Sequence, residues 1–594
     1  MNKKEFQEYD PPVLYKSMRI TNDIDVPMRD GKCLSININL PEADGKFPAL
    51  LAIANHNKDL QEAEYSASLP PAPSWSRFWF GPAEAGDSKY LTSRGYAHVV
   101  AQARGGGKSD SGSAYENLYD MYDLIEWMAE QDWCDGNIGM IGLSNFSEFQ
   151  LLAASTQPPH LKAIFPLDPA WCYSPFREIN PGGLINTVFM HIAASSIAHM
   201  NRAKPPQLAE DEETLWRKAM ENPDYRMYRN IYNFLTQKGT NPTLGLLWSF
   251  LLHPYDTEED MKRALEKIGK INIPVYTGAG QYGIDYHIHW TGSQNYFEEL
   301  KDIPKKLMLT GPAHQPRPYH AGDAHKEVLK WYDYWLKGID TGIMDEPAVR
   351  YYVTGENRWR YADNWPVPET VWKPYYLDSW ERLRETPIDP YSWEGTIEPD
   401  AFVQSPPTIT NNIAKLRYMT DPLADDTLIA GPISMNFFAS LDSEDTNWIV
   451  TLKDLGPDYS DRTGRQGERE IPDLHEKYLT KGFLRASLRE LDEGRSKPWK
   501  PFYKLTKESE KLIVPGEINE YKMEIMSVCH MFKAGHRICV EISCLDMPDG
   551  ACCAVDTEYI PYHICRNATV CHKIYRDGEH PSFLLLPVIP LADK

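Results

Sequence analysis

A serine, an aspartate and a histidine occur in this chain in the order and the settings that covalent hydrolysis requires. Ser144 lies in the stretch GMIGLSNFSEF (residues 139–149), between a short apolar run and a helix-compatible segment. A strand-to-helix turn of this kind exposes a serine hydroxyl, and the next backbone N–H, from Asn145, can stabilise an oxyanion. Asp285 and His314 each follow a later apolar run, where the partners of such a serine are expected.

The segments around Ser144 alternate between strand-like and helix-like patterns. The run FPALLAIAN (residues 47–55) is continuously apolar, and residues 115–133 carry apolar side chains at the spacing of one helix face. A strand over residues 138–143 and a helix over residues 145–154 follow. Strand, helix, strand, helix in this order predicts a parallel sheet covered on both faces.

The remaining chain divides into two further patterns. Residues 171–270 carry helical stretches rich in Met, Tyr, Trp and charge, which indicates a helical insertion, before strand signals return at INIPVYTGAG and KKLMLTGPAH. Beyond Trp365, nearly every regular segment is strand-like, and ISMNFFAS and RICVEIS alternate apolar residues with small or polar ones as a sandwich face does. The C-terminal third is therefore predicted to be all-β.

Length and charge exclude several classes of function. A chain of 594 residues predicts two to four domains. The formal net charge of −22 argues against nucleic acid or an anionic membrane as the main partner, because both require basic patches. The N-terminal stretch lacks the apolar core of a secretory signal and the apolar runs are too short to span a bilayer, so we expect a cytoplasmic protein.

Cysteine and histidine usage gives no sign of a metal or a disulfide framework. The chain has 10 cysteines, and none of them has the C-x-x-C spacing of a structural zinc site. His287, His289, His320 and His325 could be imagined as a cluster with His314, but no carboxylate spacing supports it. We expect no metal and no cofactor.

Several longer stretches of the chain, in addition to the one around Ser144, carry recognisable sequence patterns. They include ARGGGKSDSG, YDLIEWMAEQDWCDGNIGMIGLSNFS, PPHLKAIFP, TGPAHQP and, in the β-rich part, FKAGHRICVEIS. With these stretches the chain resembles the cocaine esterase family of serine hydrolases, the CocE/NonD group, whose relatives are X-prolyl dipeptidyl peptidases and α-amino acid ester hydrolases. The resemblance implies an α/β-hydrolase domain over residues 1–170 and 270–350, an inserted helical cap over residues 171–269, and a jelly-roll β-sandwich over residues 351–594.

The resemblance also assigns roles to particular residues. Ser144 matches the nucleophile, His314 the general base in the G-P-x-H stretch, and Asp285 the carboxylate that orients this base. His289 matches the D-x-x-x-H-x-x-G-S pattern of one branch of the family and is a candidate pocket residue. Such chemistry needs no cofactor.

Several positions depart from the family pattern. Asn145 replaces the tyrosine that usually follows the serine, although its backbone N–H can still donate. The second oxyanion donor of the family is a tyrosine hydroxyl, and the stretch NHNKD puts His56 at that position, with Asn57 as the second choice. Gly283 stands where a tryptophan is expected, and Gln102 replaces an acidic residue before an arginine.

These patterns predict a serine hydrolase that cleaves a carboxylic ester, or as second choice an amide, of a small molecule. Trp75, Trp79 and Trp248 are candidates for lining the pocket, with packing at a domain interface as the alternative. Two other enzymes stay open: an X-prolyl dipeptidyl aminopeptidase, and a biosynthetic enzyme of secondary metabolism that uses the same pocket for cyclisation, acyl transfer or elimination. A homodimer is an expectation from the resemblance.

Overall fold

We describe the protein from a computed structural model. The structure describes residues 9–61, 84–169, 171–186, 210–227, 251–281, 286–311, 324–392, 398–410, 412–457, 475–546 and 563–591. Within these ranges, no helix is both long enough and apolar enough to cross a membrane.

The N-terminal part is built on a ten-stranded sheet with the order β1-β2-β4-β3-β5-β6-β7-β8-β9-β10. The strands from β4 to β9 in this order are parallel, and antiparallel pairs close both edges. The predicted parallel sheet is thus confirmed. Its strands are β1 (Met18–Pro27), β2 (Cys33–Pro41), β3 (Phe47–Ala54), β4 (Ala97–Gln102), β5 (Cys134–Met140), β6 (Leu161–Ile164), β7 (Val275–Gly280), β8 (Lys305–Thr310), β9 (Val349–Val353) and β10 (Arg358–Ala362).

Helices cover both faces of this sheet, as strand β3 illustrates. Alternate residues of a strand point to opposite faces. Leu51 packs in one apolar cluster with Leu124, and Leu50 packs in another with Trp331. The helices are α1 (Ser88–Ser93), α2 (Tyr119–Ala129), α3 (Asn145–Ser155), α4 (Pro175–Ile179), α5 (Glu212–Glu221), α6 (Pro223–Arg226), α7 (Glu258–Gly269), α8 (Tyr286–Glu299) and α9 (Ala324–Lys337). Short 3-10 turns occur at Lys58–Leu60, Pro181–Gly183, Ile343–Asp345, Ala486–Leu488 and Lys507–Ser509.

The segment between β6 and β7 is where a helical insertion is predicted. Its described residues form α4, α5, α6 and α7 and contain no strand. Helix α7 carries a single buried side chain, from Ile268.

The second half of the sheet extends further along the chain than the sequence pattern suggests. We expected the sandwich to begin at residue 351, yet β9 pairs in parallel with β8, and β10 pairs with β9. These two strands therefore belong to the ten-stranded sheet. The reason is tertiary: Val349, Tyr351 and Val353 are buried in the same apolar cluster as Leu307 and Leu309 of β8.

The C-terminal part is an eleven-stranded sheet that closes on itself, because β15 pairs with β21 as well as with β18. The apolar residues predicted to face inward do so, since Ile433, Met435, Ile538 and Val540 are all fully buried in one cluster. The strands are β11 (Val371–Asp378), β12 (Arg382–Arg384), β13 (Asp400–Gln404), β14 (Lys415–Met419), β15 (Thr427–Leu441), β16 (Asn447–Gly456), β17 (His475–Arg485), β18 (Asn519–Phe532), β19 (Arg537–Ser543), β20 (Val570–Tyr575) and β21 (Phe583–Ile589).

Candidate active site

Ser144 lies at a sharp turn between β5 and α3, so the predicted strand-to-helix turn is confirmed. Its backbone has φ 54° and ψ −114°, a conformation that costs a residue other than glycine roughly 1–3 kcal/mol. Gly142 has φ +131°, and a Cβ added to it would lie 2.3 Å from the Phe146 Cβ. The turn therefore requires glycine two residues before the serine. This is the geometry of a nucleophile elbow at the carboxyl edge of a parallel sheet.

Two buried polar side chains hold the turn in place. The Ser147 hydroxyl contacts the carbonyl oxygens of Gly142 and Leu167. The Gln150 amide donates to the Gly142 carbonyl at 3.2 Å, and its oxygen accepts the Phe165 N–H at 3.0 Å. Ser147 and Gln150 are fully buried. Solvent does not compete for these hydrogen bonds, so they stabilise the strained conformation.

The Ser144 hydroxyl oxygen lies 3.2 Å from His289 Nε2. This distance is within hydrogen-bond reach of an imidazole base. His289 belongs to the first turn of α8, and both side chains are half-buried at the same edge of the sheet. From the sequence, His289 is a pocket candidate; in the structure it contacts the candidate nucleophile itself.

Helix α8 attaches to the C-terminal sheet through its other side. The Trp290 indole N–H donates to the Ser527 carbonyl at 2.8 Å and lies equally close to its hydroxyl. That hydroxyl donates to the Gln294 side-chain oxygen at 2.6 Å, and the Trp365 indole donates to the same oxygen at 2.9 Å. These groups are buried, so the network fixes the rotation of α8 relative to the second domain.

Ion pairs continue the attachment at the end of α8. Lys500 Nζ lies 2.7 Å from a Glu298 carboxylate oxygen, and Arg495 pairs with Glu299. Burial alone would lower the pKa of Lys500, but the carboxylates of Glu298 and Glu524 outweigh burial and raise that pKa. The lysine therefore stays charged and holds the helix from the C-terminal domain.

Asn145 is the first residue of α3 and supplies one of the N–H groups at the helix start that have no acceptor within the helix. Its side-chain oxygen accepts the Asn55 N–H at 2.9 Å, and its amide donates to the Tyr115 hydroxyl at 2.9 Å. The side chain that stands in the expected tyrosine position thus ties the loop after β3 to the nucleophile turn. It leaves the backbone N–H as the candidate oxyanion donor.

His56 lies beside the same turn. Its ring centroid is 5.9 Å from that of Phe146, which is two residues after Ser144. Its Nε2 lies 3.5 Å from a carboxylate oxygen of Glu84, a buried residue. Glu84 thus places a carboxylate next to the imidazole of His56.

Gln102 and Lys58 hold the loop that carries His56. The Gln102 amide donates to the Asn55 carbonyl at 3.0 Å, and its oxygen accepts the Lys58 N–H at 3.2 Å. An acidic residue at position 102 could not donate to that carbonyl, so the glutamine suits this loop. Lys58 is 1% exposed, and its ammonium group binds oxygens of Asp23, Asn37 and Asp59.

Of the other predicted site residues, one belongs to the part of the chain that the structure describes and five do not. Asn57 uses its side-chain oxygen to cap the following 3-10 turn, where it accepts the Asp59 N–H at 2.9 Å. The remaining candidates lie outside the described residues: Asp285, His314, Trp75, Trp79 and Trp248.

Glu84 and Tyr115 are two site residues that sequence reasoning missed. Glu84 faces His56, and Tyr115 bonds to Asn145, 30 positions further along the chain. Neither residue lies in a recognisable motif, and both act through tertiary contacts. No local signal pointed to them.

Two family models together match most of the chain. The model of the X-Pro dipeptidyl-peptidase S15 family matches residues 30–316. The model of the X-Pro dipeptidyl-peptidase C-terminal non-catalytic domain matches residues 341–585. The first range contains the strained turn at Ser144, and the second contains the closed sheet up to the first residues of β21.

Individual relatives match the chain almost from end to end. The cocaine esterase of Rhodococcus sp. (strain MB1 Bresler) is 25% identical over 636 residues, which cover 96% of this chain and 98% of that protein. The crystal structure of a CocE/NonD family hydrolase from Staphylococcus aureus has a TM-score of 0.72 at 23% identity, covering 97% of this chain and 94% of the other. The chain is a CocE/NonD-like serine hydrolase related to the X-Pro dipeptidyl peptidases. An α-amino acid ester hydrolase shares the fold of this chain, with a TM-score of 0.68 at 17% identity and 99% coverage of both chains.

Proposed function

We propose that this CocE/NonD hydrolase cleaves a carboxylic ester of a small molecule through an acyl-enzyme on Ser144. The observation that carries the proposal is the strained turn that holds the Ser144 hydroxyl oxygen 3.2 Å from an imidazole nitrogen. A serine becomes a nucleophile when a base within hydrogen-bond reach removes its proton. The similarity to a cocaine esterase over nearly the whole chain supports an ester as the substrate. No cofactor takes part in this chemistry.

The proposed reaction has two half-reactions. Ser144 attacks the ester carbonyl while an imidazole takes its proton, a role that the resemblance assigns to His314 with Asp285 as its orienting carboxylate. The tetrahedral oxyanion accepts the Asn145 N–H and an imidazole N–H of His56, each worth about 10²–10³ in rate where such donors have been removed. The alcohol leaves, and water hydrolyses the acyl-enzyme by the same steps.

The proposed pocket lies above the carboxyl edge of the sheet. We propose that residues 171–269 form its helical cap and that Asn57, Trp75, Trp79, Trp248 and His289 line it. The helices described between β6 and β7 support the cap. The closed C-terminal sheet is proposed to be a jelly roll.

Hydrolysis of an X-prolyl amide bond is the second candidate. The S15 family model over residues 30–316 favours it. The acyl-enzyme chemistry is the same, but the leaving group is an amine that must receive a proton, and a peptide substrate requires a carboxylate to hold its N-terminal ammonium group.

A fluorophosphonate probe tests the acyl-enzyme directly, because it phosphonylates activated serines without resembling a particular substrate. We expect labelling of Ser144 in the wild-type protein, located by peptide mass mapping, and none in Ser144→Ala. Parallel assays with p-nitrophenyl esters and X-prolyl p-nitroanilides then distinguish the two candidates. A folded wild-type protein that the probe does not label at Ser144 would contradict the proposal.

A further inference from the structure

We propose that His289, in place of His314, is the general base that takes the proton of Ser144. The inference rests on the proposed function, since it requires Ser144 as the nucleophile. His289 Nε2 lies 3.2 Å from the Ser144 oxygen, at the end of the range of about 2.6–3.2 Å in which a nucleophile and its base are found. His289 is therefore a catalytic residue that touches a reacting atom.

The topology of the sheet explains why His289 reaches Ser144. Isolated bridges join Leu143 to Leu167 and Leu167 to Gly278, so the end of β5 lies one strand away from the end of β7. Helix α8 begins just beyond β7, with His289 in its first turn. The first turn of α8 therefore places the imidazole beside the turn that carries Ser144, at the same edge of the sheet.

The surroundings of His289 fix the helical turn to which it belongs. The Ser293 hydroxyl donates to the His289 carbonyl at 2.9 Å. The neighbouring Trp290 is 1% exposed and is hydrogen-bonded to Ser527 of the C-terminal sheet. A site supported by a rigid helix and a buried network keeps its geometry through the reaction.

The proton balance of the step is complete. As the Ser144 oxygen forms a bond to the ester carbonyl carbon, its proton moves to His289 Nε2. When the carbon–oxygen bond to the alcohol breaks, the imidazolium returns this proton to the leaving oxygen. In the second half-reaction a water molecule gives its proton to His289 and attacks the acyl group, and the proton then returns to Ser144.

The rate of fluorophosphonate labelling measures proton removal without a known substrate, because the Ser144 oxygen must displace fluoride from phosphorus. We expect His289→Gln to slow labelling by about 10²–10⁴-fold, the usual size of general-base catalysis. In His289→Ala, added imidazole should restore part of the rate, which a structural role would not produce. His253→Gln is the matched control, since His253 is exposed and belongs to no site. Circular dichroism confirms that each variant is folded.

His314→Gln supplies the opposing test. Labelling of His289→Gln at the wild-type rate, together with a slow His314→Gln, would overturn the assignment and leave the serine hydrolase proposal intact. Slow labelling of His289→Gln with imidazole rescue of His289→Ala supports it. Absence of labelling in folded wild-type protein would instead remove the proposed function, and the inference with it.

Discussion

Two hydroxyl–imidazole contacts in this protein lie in very different surroundings. Ser144 meets His289 at 3.2 Å, at a half-buried edge of the first sheet. Thr354 meets His530 at 2.7 Å, and the other nitrogen of His530 lies 2.8 Å from Asp454. The second group has a hydroxyl, an imidazole and a carboxylate, the three functional groups of a hydrolase triad, and it has the shorter distances. Its members are 3% exposed or less.

The surroundings, and not the distances, separate the two contacts. The Thr354 hydroxyl also donates to the Cys529 carbonyl, and His536 occupies the second oxygen of Asp454 at 3.0 Å. Burial lowers the pKa of His530 even though Asp454 lies against it. Every polar atom of this group has a protein partner in place of a substrate, whereas Ser144 is held by a strained backbone at an accessible edge. Strain combined with access distinguishes the contact that we propose to be reactive.

The largest expected effect separates the two hydroxyls. Ser144→Ala should lower hydrolysis and probe labelling by at least about 10³-fold, because the acyl-enzyme cannot form. Thr354→Val should leave the labelling rate of Ser144 within a few-fold of wild type. Second-order labelling rates of the two variants check this, and a comparable loss in Thr354→Val would break the distinction.

Removing the buried carboxylate of Asp454 should lower the stability of the protein rather than its activity. Asp454→Asn leaves His530 and His536 without their anionic partner, and we expect the free energy of unfolding to fall by about 2–3 kcal/mol. Chemical denaturation measures this. The matched control is Asp577→Asn, which removes a more accessible carboxylate next to His580 and should cost less than about 1 kcal/mol. Equal losses in the two variants would argue against the special role of burial.

Acid should destabilise the protein through its buried neutral histidines. Burial lowers the pKa of His98, which contacts Ser88 at 2.9 Å, to about 4. Unfolded His98 binds a proton below about pH 6.5, whereas folded His98 does so only below about pH 4. Between these values the unfolded state takes up more protons, so the free energy of unfolding falls as pH falls, by up to about 3 kcal/mol.

The variant His98→Asn removes this titration and keeps a group that can face Ser88. Denaturation at several pH values should give a shallower loss between pH 6.5 and 4 than in wild type. His253→Asn, at an exposed position, should follow the wild-type curve. An unchanged slope in His98→Asn would show that His98 is not the group that titrates.

The smallest expected effect concerns the attachment of α8. Ser527→Ala removes the hydroxyl that donates to Gln294, which we expect to cost about 1 kcal/mol in stability. Because His289 and Trp290 are neighbours on α8, the labelling rate of Ser144 should fall by a few-fold. Ser440→Ala, a buried serine of the same domain that contacts Tyr575, should leave the labelling rate unchanged. Equal labelling rates for the two variants would contradict a link between the attachment of α8 and the reactivity of Ser144.

Local patterns predicted the elements of the fold well. The helix expected over residues 145–154 is observed as Asn145–Ser155, and the apolar run at residues 47–55 is strand β3. The alternating run around Met435 predicted its buried face correctly. In each case the periodicity of neighbouring residues carries the information, because a helix face or strand face is a local property.

Contacts between residues far apart in the sequence could not be predicted from such local patterns. The pair Ser144 and His289 is separated by 145 positions, and Trp290 meets Ser527 across 237. The placement of β9 and β10 in the first sheet depends on burial against β8 and not on their own composition. Which of several histidines faces the serine is a tertiary property that residue spacing does not encode.

The attachment of α8 to both sheets determines how far this chain can be truncated. Its first turn carries a side chain at the serine, while its middle and end are hydrogen-bonded and ion-paired to residues beyond position 360. A fragment ending before that position would keep the parallel strands of the first sheet. It would expose Trp290 to solvent and leave the carboxylates of Glu298 and Glu299 without their ion-pair partners. The second domain thus helps to position the side chain that faces Ser144. We therefore expect that simple truncation of this chain will not yield a catalytic fragment that folds on its own.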